Sequence, residues 1–178
     1  MQKQKTTRRF ITVGDVVADC YYQDSGKSKK LIKVDGGASR FNVIANLAQR
    51  GYRTKIISGY CPDKVGKMIL HFMEDLNVDI TDIMLKNGET KKYHISPNNY
   101  GSHLCQKTCP ICGKKTWYNE SIEDFEYYIS QIQRRDIIIL DNIEIMMEEL
   151  LYSNNDKILD LGRIKKLLPL PKTKIKNL

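Results

Sequence analysis

Two groups of residues in this chain have the types and spacing to do chemistry. The first lies in the N-terminal third. Asp15 and Asp19 stand four apart at the end of an apolar run, so both carboxylates could reach one cleft. Gly36 and Gly37 lack Cβ atoms and would let backbone N–H groups approach a polar ligand closely. Asn42 follows near the start of a helix-period segment and offers both a donor and an acceptor. Paired carboxylates, open backbone amides and a carboxamide together suit a ligand with several hydroxyls. The same letters also describe a plain Gly-Gly turn, a helix N-terminal Asn and, at Asp15, an ordinary turn acid after a strand.

The second group is sulfur-rich. His103, Cys105, Cys109 and Cys112 fall in one short stretch, and Cys109-Pro110-Ile111-Cys112-Gly113 has the spacing of a zinc knuckle. Pro and Gly at those places let backbone amides turn toward the sulfurs. A structural zinc site takes four ligands. There is no second C-x-x-C, so His103 and Cys105 would complete the set, facing the same way as i and i+2 of an extended segment. The expectation is a structural zinc in a knuckle-like insertion. Reduced thiols in a turn, or a redox pair of Cys109 and Cys112, are the alternatives. The cysteine count is 5, odd and with one tight cluster, which argues against a disulfide framework.

The elements that must position these groups alternate between strand and helix patterns. Phe10 to Val17 reads as a buried strand. Tyr21-Tyr22 and Leu31 to Val34 flank a turn at Gly26, as in a hairpin or lid. Ser39 could cap a helix whose apolar face is Phe41, Ile44, Ala45, Leu47 and Ala48, closed by Gly51. Thr54 to Ser58 is a strand, and Asp63 caps a second helix with Val65, Ile69, Phe72, Met73 and Leu76 on one face. His71 falls on that helix's surface. Lys92 to Ile95 reads as a short edge strand, with His94 a weak ligand candidate. Residues 97–119 break the rhythm and read as the insertion, with Trp117 and Tyr118 packing beneath it. Ser121 and Asp124 form a capping-box pattern ahead of Phe125, Tyr128, Ile129 and Ile132. A buried strand at 136–141, a helix at 143–151 and a strand at 157–160 follow. This order predicts an α/β fold with a parallel sheet flanked by helices and a small β lid.

Bulk properties agree with one domain. The chain has 178 residues and 41% apolar content, enough for a core. Its longest apolar run, Ile137 to Leu140, falls far short of the roughly 20 residues that span a bilayer. The basic N-terminus is followed by a strand pattern broken by Gly14 and Asp15 rather than by the apolar stretch of a signal peptide, which predicts a cytoplasmic protein without a membrane partner. The net charge of +8 is concentrated in residues 163–178, where Arg163, Lys165, Lys166, Lys172, Lys174 and Lys176 meet no acid. This basic, proline-broken tail reads as irregular and solvated.

Taken together, Gly14-Asp15 and Asp19, Gly36-Gly37 with Asn42 and the helix to Gly51, and Gly59…Asp63…Gly66 with Asn77-Val78-Asp79 resemble the ribokinase/PfkB carbohydrate kinase family. Asp141-Asn142 and Leu159-Asp160-Leu161-Gly162 extend the resemblance. It departs at one place, since five residues take Gly37 to Asn42 where the family usually has one fewer. The resemblance covers about residues 10–162 and implies a partial ribokinase-like domain over 1–162, with the C-terminal part of the fold missing. It further implies phosphoryl transfer from ATP, with magnesium, to a hydroxyl of a small polyol or nucleoside. Asp15, Asp19, Gly36, Gly37 and Asn42 would bind that substrate.

In the family the catalytic base is an Asp in a late Gly-x-Gly-Asp segment. The only Gly-Asp pair here is Gly14-Asp15, and no phosphate loop of the Gly-x-x-x-x-Gly-Lys type replaces it. No catalytic residue is therefore assigned. Catalysis is expected only where a complete enzyme is formed, with a homodimer or complementing chain as candidate partner. The alternative is a non-catalytic, zinc-containing module that binds nucleic acid or protein. Nucleic acid is the weaker of these, because the knuckle lacks interleaved basic and aromatic residues.

Overall fold

The computed structural model describes residues 8–140 and 156–159, apart from 15, 25–27, 99, 101 and 117–120. Asp15, Trp117, Tyr118, the helix expected at 143–151, Asp141-Asn142, Asp160 to Gly162 and the basic tail at 163–178 lie outside the described residues.

β1 (Phe10–Val13), β4 (Thr54–Tyr60), β5 (Ile83–Leu85), β8 (Ile137–Leu140) and β9 (Asp156–Leu159) form one sheet in the order β5-β4-β1-β8-β9. Every pairing in it is parallel. The strands are apolar on both sides because both faces are covered. Ile11, Val13, Ile57 and Ile138 point to the face under α3 (Ile122–Ser130), where Phe125 and Tyr128 bury. Ile56 and Ile139 point the other way, toward α1 (Ser39–Gln49) and α2 (Lys64–Asp75). Phe41, Ile44 and Ala45 of α1 and Ile69 and Met73 of α2 complete that second core.

The helix ends follow from local chemistry. α1 stops in a Schellman turn: Gly51 sits at φ 80, its N–H donates to Ala48, and the N–H of Tyr52 donates to Leu47. Asn77, at φ 58, ends α2 in the same way. The Asp63 carboxylate accepts from the Gly66 amide at the start of α2, and also from the amide and hydroxyl of Thr90. Ser121 and Asp124 make the capping box expected at α3. Ser39 does not cap α1. It is the first helical residue, so the capping position falls to Ala38, which has no side chain to donate an acceptor.

A second sheet forms the lid, in the order β3-β2-β6-β7. Its strands are β2 (Val17–Asp24), β3 (Lys29–Gly37), β6 (Lys91–Pro97) and β7 (His103–Gln106). The apolar run that reads as one strand from Phe10 is in fact two. Gly14, at φ 126, breaks it after β1, and β2 leaves for the lid. Lys92 to Ile95 is not at an edge either, because β7 pairs antiparallel alongside β6. His94 is accordingly buried. β7 comes from the stretch read as an insertion, where His103 and Cys105 were expected on an extended segment.

Candidate functional site

Strand alternation gives the lid two chemically different faces. Asp19 of β2 is in register with Tyr93 of β6, and Ile95 of β6 with Cys105 of β7. These four share the front face. They line a pocket of about 360 Å³ whose other wall is the start of α1, Ala38, Ser39 and Asn42. The structure thus brings Asp19 and Asn42, predicted from sequence, to one cavity. Gly37 abuts the same site, since a Cβ there would fall 2.1 Å from the Asp19 Oδ1. Only glycine leaves that carboxylate its place. Gly36 serves a different neighbour: its missing Cβ makes room for the Phe41 ring, 2.0 Å away from where that atom would be.

Backbone strain marks the junction of lid and helix. Ala38 has φ 70 and ψ 155, a region occupied almost entirely by glycine. Its carbonyl accepts the Asn42 amide at 3.2 Å, the first turn of α1. Of the pocket's remaining lining, Tyr93 and Ile95 were not legible as a site in the sequence, and Cys105 read as a zinc ligand rather than as part of this pocket. The signal was present in the alternation of Lys92 to Ile95, but its use required knowing that β6 pairs with β2.

The back face carries Cys20 and His94, also in register, together with Tyr22. The Tyr22 hydroxyl lies 2.8 Å from His94 Nδ1 and 3.6 Å from the Cys109 sulfur. Burial, and then the charge of Lys92, lowers the His94 pKa, so the ring is neutral. One proton arrangement satisfies the chain of contacts: Nδ1–H donates to Tyr22, Tyr22 donates to Cys109, and the unpartnered, buried Nε2 carries only a lone pair. Burial raises the Tyr22 hydroxyl pKa, and its bond to Cys109 raises it further, which keeps the proton on the phenol. Burial alone would raise the Cys109 thiol. The amides of Cys112 and Ile111, the Tyr22 hydroxyl and the Cys112 thiol outweigh that and bring it down to about 7.

The four residues expected to hold zinc are not brought together. His103 and Cys105 alternate along β7, so they share the front-face orientation, where Cys105 lines the pocket. The turn after β7 carries Cys109 to the back, against Tyr22. Among the described residues no three His, Cys, Asp or Glu side chains gather into a set that could hold a metal ion. The knuckle spacing predicted the tight turn correctly: the Gly113 amide donates to Cys109 at 3.0 Å, with Gly113 at φ 71. It did not predict on which face of the lid each sulfur would lie. His71, as expected, is exposed on α2, 3.1 Å from Glu74.

No family model and no curated protein matches the chain. Solved structures do. A nucleoside kinase from Methanocaldococcus jannaschii, an archaeal member of the ribokinase family, superposes with a TM-score of 0.62 at 12% identity, covering 88% of this chain and 53% of that one. A PfkB family carbohydrate kinase from Listeria grayi gives 0.61 at 14%, covering 85% and 51%. A fructokinase with bound ATP from Xylella fastidiosa gives 0.60 at 14%, covering 83% and 48%. The fold is ribokinase-like. The resemblance seen in the residues therefore holds at the level of architecture, and the chain spans about half the length of the structures it matches. Among the described residues, no helix of this ribokinase-like fold is long and apolar enough to cross a membrane.

Proposed function

We propose that the pocket between the lid and α1 binds the hydroxyl-bearing substrate of a sugar or nucleoside kinase. The observation that carries this reading is the meeting of Asp19 and Asn42, from two different elements, across one cavity. Its volume falls within the range of small-molecule sites, which starts near 300 Å³. Asp19 would accept hydrogen bonds from vicinal hydroxyls, and Asn42 would accept and donate. Tyr93 and Ile95 supply an apolar wall for the C–H face of a sugar ring or for a base. The fold shared with sugar and nucleoside kinases supports the substrate class.

Phosphoryl transfer from ATP, with magnesium, belongs to this reading only where groups beyond these 178 residues complete the site, since no Gly-x-Gly-Asp occurs among them. A second copy or a complementing chain could supply such groups. The test is isothermal titration of the chain against a panel of sugars and nucleosides. Heat of binding for at least one member, lost in Asp19→Ala, is the expected result. No heat across the panel would overturn the proposal.

A further inference from the structure

Three glycines around the pocket each make room for one side chain. Gly37 leaves space for the Asp19 carboxylate, and Gly36 for the Phe41 ring. The third is Gly14, at φ 126, where β1 ends and the chain turns toward the lid. The Arg40 guanidinium lies over it: a Cβ on Gly14 would overlap Arg40 Nη1 and stand 2.7 Å from Cζ. Nη1 also donates to the carbonyl of Val13, the last residue of β1. Arg40 belongs to the first turn of α1, between Ser39 and Asn42, which both line the pocket.

That turn has little other support at its start. Its capping residue, Ala38, makes no side-chain bond, and no acidic residue stands in the first turn. One side chain therefore joins the two segments that carry opposite walls of the cavity. Gly14 is the point from which the chain enters β2 with Asp19, and α1 carries Asn42. A planar guanidinium with donors along its edge can cover a glycine and bond a carbonyl at once; the compact ammonium of a lysine lacks that shape. We propose that Arg40 is a positioning residue: its seat on Gly14 and Val13 fixes the first turn of α1 and so holds Asn42 opposite Asp19. The consequence for binding rests on the substrate-pocket reading, whereas the seating of the turn does not.

The first measurement needs no ligand. Hydrogen exchange of the full chain, read by peptide mass spectrometry, should become about tenfold faster at residues 42–44 in Arg40→Ala, while α2 keeps the parent rate. A tenfold change is what losing one charge-assisted hydrogen bond brings. Guanidinium ion, far below denaturing concentrations, should restore slow exchange, and an equal concentration of sodium chloride should not. A general loss of stability would speed α1 and α2 alike, and guanidinium would worsen it. Arg40→Lys is the milder variant, expected to melt close to the parent and still to exchange faster at 42–44. The second measurement is calorimetry with ribose and adenosine, two members of the sugar and nucleoside panel. Whichever of them the parent binds, Arg40→Ala should bind it about tenfold more weakly, and guanidinium should recover the loss. Unchanged exchange at 42–44 in Arg40→Ala would overturn the proposal. So would faster exchange there with unchanged affinity. Heat from no member of the panel would remove the pocket reading instead, and the exchange result would still decide whether Arg40 holds the turn.

Discussion

Asp19 and Cys20 are neighbours in the chain and so are Tyr93 and His94, yet each pair is split between the two faces of the lid. The front face presents a carboxylate, a phenol ring and a thiol to a pocket closed by α1. The back face packs Tyr22 and His94 into a hydrogen-bonded, buried pair backed by the cysteine turn. A strand with period two can therefore serve a ligand and a structural network with alternate residues. Motif spacing along such a chain says which residues are near, and the strand pairing says which of them face each other. That distinction separates the four residues expected to hold zinc, which do not gather into one set among the described residues.

If the front face binds and the back face supports, substitutions should separate the two. Asp19→Ala is expected to show the largest effect. Losing a charged acceptor of hydroxyl hydrogen bonds corresponds to about 1.5–3 kcal/mol, or roughly 10- to 100-fold in affinity. Calorimetry should record that loss, while thermal unfolding stays close to that of the parent chain. A fall in stability with unchanged affinity would reverse the assignment of the faces.

Tyr22→Phe is the opposite probe. It removes the hydroxyl that His94 Nδ1 and Cys109 share and leaves a buried ring nitrogen without its partner. The cost should be about 2 kcal/mol of folding stability, from an unmade hydrogen bond in a buried setting. Urea unfolding measures it. Affinity for the front-face ligand should change less than about threefold, on the order of 0.6 kcal/mol.

What the sequence disclosed and what it hid divide along the same line. Local rules read correctly wherever one segment decides the outcome. The apolar period of α1, the Asp63 and Ser121 caps and the Gly51 stop needed only their own neighbours. The parallel sheet followed from the alternation of strand and helix. Asp19 and Asn42 were legible by residue type, a carboxylate and a carboxamide flanking the Gly36-Gly37 pair. Gly14 and Asp15 showed a break in the strand pattern, but not that Val16-Val17 beyond it begin a strand of another sheet, since the residues on both sides are apolar. The extended course of His103 to Cys105 was read, but its pairing was hidden: His103 to Gln106 has no β-branched residue, and its place beside β6 comes from the partner strand. Cys105 joined the pocket, and His94 became buried, only through that pairing.

Acid should act on the back face before the front. Burial, with Lys92 second, lowers the His94 pKa from the ordinary value of 6.5. The unfolded chain therefore takes up a proton at a higher pH than the folded one. This contribution to stability is complete above about pH 6.5 and is lost as pH falls through the lower folded value. Melting temperatures from pH 8 down to pH 5 should decline, and His94→Gln should flatten that decline. His71 is exposed beside Glu74 and offers no comparable burial, so an unchanged slope in His94→Gln would remove the histidine from the account.

The smallest expected effect lies where the two sheets meet. Ala38 holds φ 70 and ψ 155 between β3 and α1. A non-glycine residue there costs about 1–3 kcal/mol, and glycine's own loss of freedom on folding offsets about 0.5–1 kcal/mol of the relief. Ala38→Gly should then stabilise the chain by about 1 kcal/mol in urea unfolding. The methyl group of Ala38 also lines the pocket, so the same variant reports on binding. Greater stability with weaker affinity would mean that the strained backbone holds Asn42 opposite Asp19. Greater stability with unchanged affinity would mean that α1 keeps Asn42 in place by the packing of Phe41 and Ile44, and that the strain is a by-product of the connection from β3.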